Sequence, residues 1–466
     1  MEDQLHLIKI KRLHLKKYIN PFMKNKYLKE LNSLKKFSTS RLFHKTFKLP
    51  YLRISSTYQN YSKDVYQIMD NIYQELKIDE LITALLDGKE VNFTEKRAAL
   101  HHRYRDLSQK NSDFDSISAS NFLLKKIKEN SYKNIFVFGI GGSYEGPKLL
   151  HEFNETKDNL FFITGPDKDE FLSIVKPRLK EKNLYVFISK SFSTEEVLLS
   201  HSWLPKNIIK KNLFAITANK SRAIELGFIE QNIIGFPKSV GGRYSIWSQV
   251  NSPVLLPNEC GDFLKGAASI DDNVKKKSIV KNALKNIVFY DIWSHNFLDK
   301  KIRVILSYNW KLRSITNYLQ QLEMESLGKP KNSESIFSST GQTIYGGFGP
   351  TAQHSYFQLL HQGTSETSAD FIASRSTHSA LLNSQAEGQF KLLSGKIRFK
   401  KGMDAANSNI GGNFFSLDKL DLFSLGALIA LWEYRVFVTA AMLQINPFDQ
   451  FGVNAGKRVA KKILDK

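Results

Sequence analysis

From residue 134 onward, short apolar runs alternate with polar or amphipathic stretches of helix length, and this rhythm constrains the fold more than any other feature. The runs are rich in β-branched and aromatic residues, as strands are. Strands separated by helix-length stretches are typical of βαβ units, which build parallel sheets. We therefore expect an α/β fold. In the first region, the expected strands are 135–138, 160–163, 184–188, 213–216 and 233–236.

A second region of the same kind begins near residue 302, with further apolar runs at 343–345 and 371–373. Helices around 275–300 are expected to join two α/β layers. Residues 60–110 have a helical pattern, and Thr94 is expected to cap a helix that follows it. The longest apolar run, 422–443, contains Glu433 and Arg435. These charges favour a buried core helix over a membrane span.

The chain has a formal net charge of +22, and residues 1–48 alone carry 13 Lys or Arg against three acidic residues. No zinc-finger spacing, RNP-like motif or Arg-rich tract accompanies the charge, so we expect a solvated Lys-rich surface. Nucleic-acid binding stays open on charge alone. Neither a nucleic acid nor a membrane is the expected partner. We expect no signal peptide, and the Lys-rich N-terminal stretch argues against a transit peptide. The single cysteine, Cys260, excludes an internal disulfide and fits a reducing, cytoplasmic compartment.

Two polar segments directly follow expected strands. The glycine turn (residues 139–143, including Gly142 and Ser143) would let a ligand approach the backbone closely. Tyr144 stands where a dinucleotide-binding fingerprint needs its third glycine, so a plain tight turn is equally compatible. The serine loop (residues 189–194) combines four hydroxyls with one ammonium where a helix should begin, which favours phosphate binding. A capping box over 193–196 is the alternative, but it leaves much of the loop unexplained. The side chains of interest in this loop are Ser189, Lys190, Ser191 and Thr194.

Four further groups have the residue types that catalysis needs. Arg243 follows two glycines and suits a developing oxyanion, although a surface arginine after a turn is equally compatible. Gln321 and Glu325 share one helix face, as a general base and an amide donor would, but also as a solvated face would. His354 suits proton shuttling, whereas His361 is expected to be a core histidine bonded to a backbone carbonyl. No His, Cys or carboxylate cluster has metal-ligand spacing, so we expect neither a metal nor a cofactor.

Taken together, these segments resemble the glucose-6-phosphate isomerase family from about residue 80 to 460, in the family's order. The resemblance implies two sugar-isomerase-type α/β domains, each a doubly wound, mainly parallel sheet flanked by helices. It also implies a homodimer with shared active sites. The stretches that carry it are VNFTEKRAALH (91–101), GGRYSIWSQV (241–250), QLEMESLGK (321–329), QHSYFQLLHQGT (353–364) and LIALWEYRVFVTAAMLQINPFDQFGVNAGK (428–457).

The family's site residues carry over one by one. Glu325 matches the base that moves a proton between C2 and C1, and Gln321 the glutamine beside it. Arg243 matches the arginine that stabilises the enediol, and His354 the ring-opening histidine, which the partner subunit supplies. The remaining matches are Lys457 near the ring oxygen, Gln450 beside it, Ser189, Lys190, Ser191 and Thr194 at the phosphate, and Gly142 and Ser143 near the sugar.

The resemblance implies reversible isomerisation of glucose 6-phosphate and fructose 6-phosphate, a step of glycolysis and gluconeogenesis, on a small phosphosugar. An isomerase of another phosphosugar, or a non-catalytic sugar-phosphate sensor, remains as an alternative. Asn454 stands where the family usually has Glu, which leaves the support of Lys457 open. The expected division is a basic extension (1–50), a helical region (51–110) and two α/β domains (111–290 and 291–466).

Overall fold

The computed structural model describes residues 19–36, 42–108, 111–155, 159–208, 210–376, 379–399 and 401–465. Eleven strands lie in these residues: β1 (Phe43–Leu49), β2 (Leu52–Tyr58), β3 (Asn134–Phe138), β4 (Leu160–Ile163), β5 (Asn183–Ile188), β6 (Leu213–Thr217), β7 (Ile233–Gly235), β8 (Ile302–Ser307), β9 (Thr343–Phe348), β10 (Thr367–Ser374) and β11 (Gly412–Leu417).

Sixteen α-helices lie in the same described ranges. They are α1 (Pro21–Lys36), α2 (Lys63–Glu75), α3 (Ile78–Leu86), α4 (Ser116–Asn130), α5 (Glu145–Asn154), α6 (Lys168–Ile174), α7 (Glu195–Ser202), α8 (Lys220–Glu225), α9 (Pro257–Val274), α10 (Ile279–Phe297), α11 (Ile315–Leu327), α12 (Gly349–Gln353), α13 (Phe357–Gln362), α14 (Ala380–Leu393), α15 (Leu422–Met442) and α16 (Asn454–Leu464).

The first sheet is fully parallel, in the order β4-β3-β5-β6-β7. Its central strands β3, β5 and β6 are buried along their whole length, because helices cover both faces of such sheets. The uninterrupted apolar runs of the sequence follow from this burial. Since β3 and β5 are parallel neighbours, the segments that follow them meet at one edge of the sheet. The glycine turn and the serine loop therefore lie side by side.

The second sheet has the order β1-β2-β11-β10-β8-β9. Strands β8 to β11 are parallel, in the order β9-β8-β10-β11. This repeats the order β4-β3-β5-β6 of the first sheet. The β1–β2 hairpin extends this sheet antiparallel to β11. The expected α/β fold with two mainly parallel sheets is confirmed. The hairpin was not predicted, and it spans the expected boundary at residue 50, while the domain boundaries themselves stay a prediction.

The apolar run at 422–443 forms helix α15, the one helix among the described residues with the length and hydropathy of a membrane span. Its most apolar window is 94% buried inside the protein, so it is a core helix. Helix α9 packs closely against it through two glycines. A Cβ at Gly266 would lie 2.0 Å from the Phe423 carbonyl oxygen, and one at Gly426 would lie 2.1 Å from that of Phe263. Only glycine permits this approach of the two backbones.

A buried ionic cluster joins α15, α10 and α11 to the second sheet. The Arg435 guanidinium contacts Asp291 at 2.7 and 2.8 Å and Asp370 at 2.7 Å. Arg303 on β8 pairs with Asp291 at 2.9 Å and with Glu323 of α11. Burial alone would raise the pKa of Asp291, but Arg435 and Arg303 outweigh it and hold that pKa below its usual range. The pair between Arg303 and Glu323 therefore fixes the position of helix α11 relative to the second sheet.

Two expectations for the N-terminal half need correction. Residues 60–110 are helical only over α2, α3 and a 3₁₀ turn at His101–Arg105. Thr94 does not cap a helix, because Asn92 and Arg97 form a bridge across a turn there. Instead, the Thr94 hydroxyl donates to the carboxylate of Asp449 at 2.7 Å. A tertiary contact thus uses the hydroxyl that the local pattern assigned to a cap.

The ionic cluster predicts a large stability effect for one neutral substitution. Arg435→Met keeps most of the side-chain length but leaves Asp291 and Asp370 without their main partner. Because an uncompensated buried charge is costly, the free energy of unfolding should fall by about 3–5 kcal/mol in urea denaturation. Arg222→Met, which removes an exposed pair with Glu225, should cost less than about 1 kcal/mol. Equal small effects for both variants would contradict this account of the cluster.

Candidate active site

The glycine turn packs directly on the loop that leads to Arg243. A Cβ at Gly142 would lie 2.0 Å from the carbonyl oxygen of Gly242, so only glycine fits at 142. The Ser245 Oγ lies 2.7 Å from the Gly242 carbonyl oxygen and 3.3 Å from that of Gly142, so its single O–H is shared between the two segments. Ser143 lies half-buried in this turn. The turn therefore positions the start of the arginine segment.

The serine loop is shaped by hydrogen bonds among its own hydroxyls. Ser189 Oγ lies 2.8 Å from Thr194 Oγ1 and accepts from the backbone N–H of Phe192 at 3.1 Å. Ser193 donates its hydroxyl to Ser191 Oγ at 2.7 Å. The alternative capping box over 193–196 is absent from the described hydrogen bonds. The cap of helix α7 is Thr194, whose side chain makes no capping bond, and the Ser193 hydroxyl bonds Ser191 instead. Hydroxyls and free N–H groups at a helix start favour an anion.

Lys190 adds a positive charge beside these hydroxyls. Burial is the main reason that its pKa falls to about 8, and the charges of Arg97 and Arg243 lower it further while Glu95 opposes them. The ammonium of Lys190 therefore lies within electrostatic reach of Arg243. Glu325 pairs with Arg243, but Lys190 has no carboxylate partner among the described ion pairs, so its charge can attract an anionic ligand.

Arg243 lies at the centre of the site and is only 2% exposed. It sits on a 3₁₀ helix (Gly242–Trp247), and its Nε donates to the Ser326 hydroxyl at 2.7 Å. Its Nη2 donates to the backbone carbonyls of Pro447 and Asp449. Its Nη1 remains directed at the cleft, where it donates to side chains of residues 325 and 450. The guanidinium is thus held on three sides and presents one edge to the cleft.

Glu325 and Gln321 lie one turn apart on helix α11, as their spacing predicts. The Glu325 carboxylate accepts from Arg243 Nη1 at 3.2 Å and from Gln321 Nε2 at 3.3 Å. About a third of the Glu325 side chain remains exposed, so a ligand can reach it. A Cβ at Gly141 would lie 3.2 Å from Gln321 Nε2, which places the glycine turn against the same pair. The carboxylate therefore faces the cleft between the two sheets.

Gln450 completes this group, since its Oε1 accepts from Arg243 Nη1 at 3.1 Å. No role was predicted for its neighbour Asp449 or for Lys329, which form an ion pair at 2.9 Å directly behind Arg243. Both lie inside the stretches that carry the family resemblance. The only signal for them in the sequence was position: Asp449 directly precedes Gln450, and Lys329 comes four residues after Glu325.

His354 and Lys457 do not join the other site residues. Both are exposed, and neither side chain makes a hydrogen bond or ion pair with any residue that the structure describes. His361 lies on a separate helix, α13, away from Glu325. Its Nε2 lies 2.9 Å from the side-chain oxygen of Gln389, so it is a structural histidine whose partner is a side chain rather than the expected carbonyl.

The assembled groups have a definite chemistry. A partly exposed carboxylate between a guanidinium and an amide can accept a proton, and the guanidinium can stabilise an adjacent oxyanion. The serine loop with Lys190 offers an anion site in the same cleft. Within the described ranges, no group of three or more His, Cys, Asp or Glu side chains has the geometry of a metal site.

Comparisons with known proteins identify the family of the chain. The family model of phosphoglucose isomerase matches residues 57–466. Glucose-6-phosphate isomerase of Shewanella sediminis is 31% identical over 87% of this chain and 86% of its own length. The Legionella pneumophila enzyme of the same name is 30% identical over 87% of each chain.

The fold has a counterpart of known structure. A glucose-6-phosphate isomerase from Chlamydia trachomatis superposes with a TM-score of 0.82 at 22% identity, covering 94% of this chain and 95% of that one. A hypothetical protein from Thermus thermophilus superposes with a TM-score of 0.62 at 20% identity, over 79% of this chain. The family match over most of the chain, together with relatives at 30% identity or more, leads to one conclusion: this chain belongs to the phosphoglucose isomerase family.

Proposed function

We propose that this protein interconverts glucose 6-phosphate and fructose 6-phosphate through ring opening and a cis-enediol intermediate. The observation that carries the proposal is the Glu325 carboxylate, held between Arg243 and Gln321 in the cleft that also contains Lys190. A base, an oxyanion-stabilising cation and a phosphate site are the three groups that the proton transfer between C2 and C1 needs. The related proteins of Shewanella and Legionella carry the name of the same enzyme.

Glu325 is the base of the proposed mechanism. It takes the proton from C2 of the open-chain aldose, and the C1 carbonyl oxygen becomes an enediolate oxygen. The O2 hydroxyl proton then moves to O1, so that the negative charge passes to O2. Glu325 returns its proton to C1 as the C2 carbonyl of the ketose forms. One carboxylate serves both carbons because they are adjacent and the intermediate is planar. Gln321 donates to Oε1 at 3.3 Å and so orients the carboxylate.

Arg243 stabilises the enediolate. Its Nη1 faces the cleft while its other nitrogens are held by fixed acceptors. A cation whose position is set before reaction costs no reorganisation when charge develops, which is the main source of electrostatic catalysis. Gln450, on the same nitrogen, lies at the sugar end of the cleft in this proposal.

The phosphate group binds at the serine loop, where Ser189, Ser191 and Thr194 supply hydroxyls and Lys190 supplies charge. Gly142 and Ser143 lie near the sugar. Charge-assisted hydrogen bonds of this kind contribute about 1.5–3 kcal/mol each. The phosphate thus anchors the substrate and leaves C1 and C2 free to reach Glu325.

We also propose that the protein works as a cytoplasmic homodimer with shared sites. His354 lies exposed and outside the Glu325 cleft, so a site with a ring-opening histidine is complete only when His354 of the partner subunit enters it. Helix α16, which carries Lys457, is exposed throughout, and its apolar side chains Val459, Ile463 and Leu464 are 57–81% exposed. Apolar residues at helical spacing on an isolated helix favour burial against a second copy.

The first prediction concerns the pH dependence of phosphate binding. Lys190 has a pKa of about 8 in the free protein, and a bound dianion raises that pKa. Affinity for the phosphate dianion should therefore be full below pH 8 and fall above it by up to about tenfold per pH unit, until the raised pKa of the complex is reached. Titration calorimetry between pH 7 and 9.5 measures this. Lys190→Arg, which stays charged, should remove the pH step, and a wild-type affinity that is flat over this range excludes Lys190 as a phosphate ligand.

The second prediction tests the base. Glu325→Gln keeps the size and hydrogen bonding of the side chain but cannot accept the C2 proton. The variant should still bind phosphosugar, while exchange of the C2 proton with deuterated solvent, followed by NMR, should nearly stop. Glu334→Gln, a change at an exposed carboxylate, serves as the matched control and should exchange normally. Exchange at the wild-type rate in Glu325→Gln would mean that another group is the base.

The third prediction tests the shared site. Chains with Glu325→Gln and with His354→Ala, each weakly active alone on the ring form of the substrate, are co-expressed with two different tags and the mixed dimer is isolated. One of its two sites then combines both wild-type residues, so activity should return to about half of the wild-type value per dimer. A mixed dimer no more active than its parents would show that the two residues do not act across the interface.

A further inference from the structure

An ion pair directly behind Arg243 has no place in the mechanism described so far. Lys329 follows helix α11, four residues after Glu325, and its Nζ lies 2.9 Å from Asp449 Oδ1. The same ammonium donates to the Asp449 backbone carbonyl, which also accepts from Arg243. We propose that Lys329 and Asp449 are positioning residues, which hold segment 446–450 so that its carbonyls aim Arg243 at the reacting oxygen. This inference rests on the proposed isomerase function.

Arg243 depends on this segment for its orientation. Both described acceptors of Nη2 are backbone carbonyls of the segment, those of Pro447 and Asp449. Gln450, from the same segment, accepts from Nη1. A shift of the segment would therefore turn the guanidinium, and a misplacement of about 1 Å can cost on the order of 100-fold in rate.

The segment is also held by the buried ring of Phe448, which packs against Tyr244 and Phe437, and by polar contacts with the turn at 92–94. Asp449 Oδ2 accepts from the Thr94 hydroxyl at 2.7 Å. The Asn446 side-chain amide donates to Asn92 Oδ1 at 2.9 Å and to Thr94 Oγ1 at 2.6 Å. The Asp449 carboxylate thus joins the 92–94 turn on one side to Lys329 on the other. It is the only described side chain bonded to both.

The charges support the same role. Lys329 and Arg243 are positive, and Asp449 and Glu325 are negative, so the four groups are neutral as a set. Burial lowers the pKa of Lys329, and Asp449 opposes that effect. Without the Asp449 charge, Lys329 and Arg243 would share the Glu325 carboxylate. The Arg243 guanidinium would then be drawn toward Glu325 and away from its own carbonyl acceptors in segment 446–450. Because neither Lys329 nor Asp449 is proposed to touch the substrate, they act through Arg243.

The test is a set of kinetic measurements on the full-length protein. Asp449→Asn keeps the shape and the Thr94 contact but removes the charge, and Lys329→Met removes the ammonium. Both should lower kcat about tenfold or more, while KM and the affinity for inorganic phosphate stay within about twofold, because the serine loop is untouched. Lys329→Arg should recover much of the loss. Lys331→Met, at an exposed lysine two residues on, should leave kcat unchanged.

A double-mutant cycle separates positioning from general stability. If Asp449 acts through Arg243, then Asp449→Asn should lower kcat no further in an Arg243→Ala background. Additive losses, or a lowered Tm with unchanged kcat, would overturn the proposal. Should Asp449→Asn fail to fold, Lys329→Met in the same cycle decides the question. Wild-type protein without isomerase activity would instead overturn the proposed function itself.

Discussion

The placement of helix α11 depends on the buried ionic cluster beneath the second sheet. Two guanidiniums, of Arg303 and Arg435, contact three carboxylates that are nearly excluded from solvent. Charges at this depth are tolerated only when their partners are all in place, since a missing partner leaves an uncompensated buried charge. Glu323 is the member of the cluster that belongs to α11, and its other oxygen accepts from Trp432 at 2.6 Å. The opposite side of the same helix carries Glu325, so the cluster sets where the proposed base lies.

Arg243 connects helix α11, which this cluster positions, to the first sheet. Its backbone packs on the glycine turn after β3, its Nε contacts α11, and its Nη2 contacts the segment before α16. Three parts of the chain, separated by more than a hundred residues in some cases, meet at one side chain. Such a site cannot form before both sheets and the C-terminal segment are in place. The geometry of the proposed site therefore depends on the assembled fold.

The two sheets repeat one arrangement, but the polar segments after β5 and β10 differ in their partners. After β5 the chain has Ser189, Lys190 and Ser191, and at the end of β10 it has Ser374, Arg375 and Ser376. In the second segment, Arg375 lies 3.5 Å from the carboxylate of Asp418, and the Ser376 hydroxyl accepts from a backbone N–H at 3.0 Å. Arg375 and Ser376 are therefore already paired with other groups of the protein. In the first segment, the hydroxyls bond to one another, and Lys190 has no carboxylate partner within the described hydrogen bonds and ion pairs.

The sequence by itself determined the elements whose pattern is local. The strands from β3 to β10 and the core helix at 422–442 follow from apolar runs of the length that each element needs. The shared face of Gln321 and Glu325 follows from their spacing of four residues on a helix. Contacts between distant segments were decided only by the tertiary structure. The hairpin at 43–58 joins the second sheet, Thr94 bonds Asp449 instead of capping a helix, and Lys329 meets Asp449 behind Arg243. The local sequence offers a polar side chain several possible hydrogen-bond partners and does not distinguish between them. Only the packing of the whole chain decides which partner lies within hydrogen-bond distance.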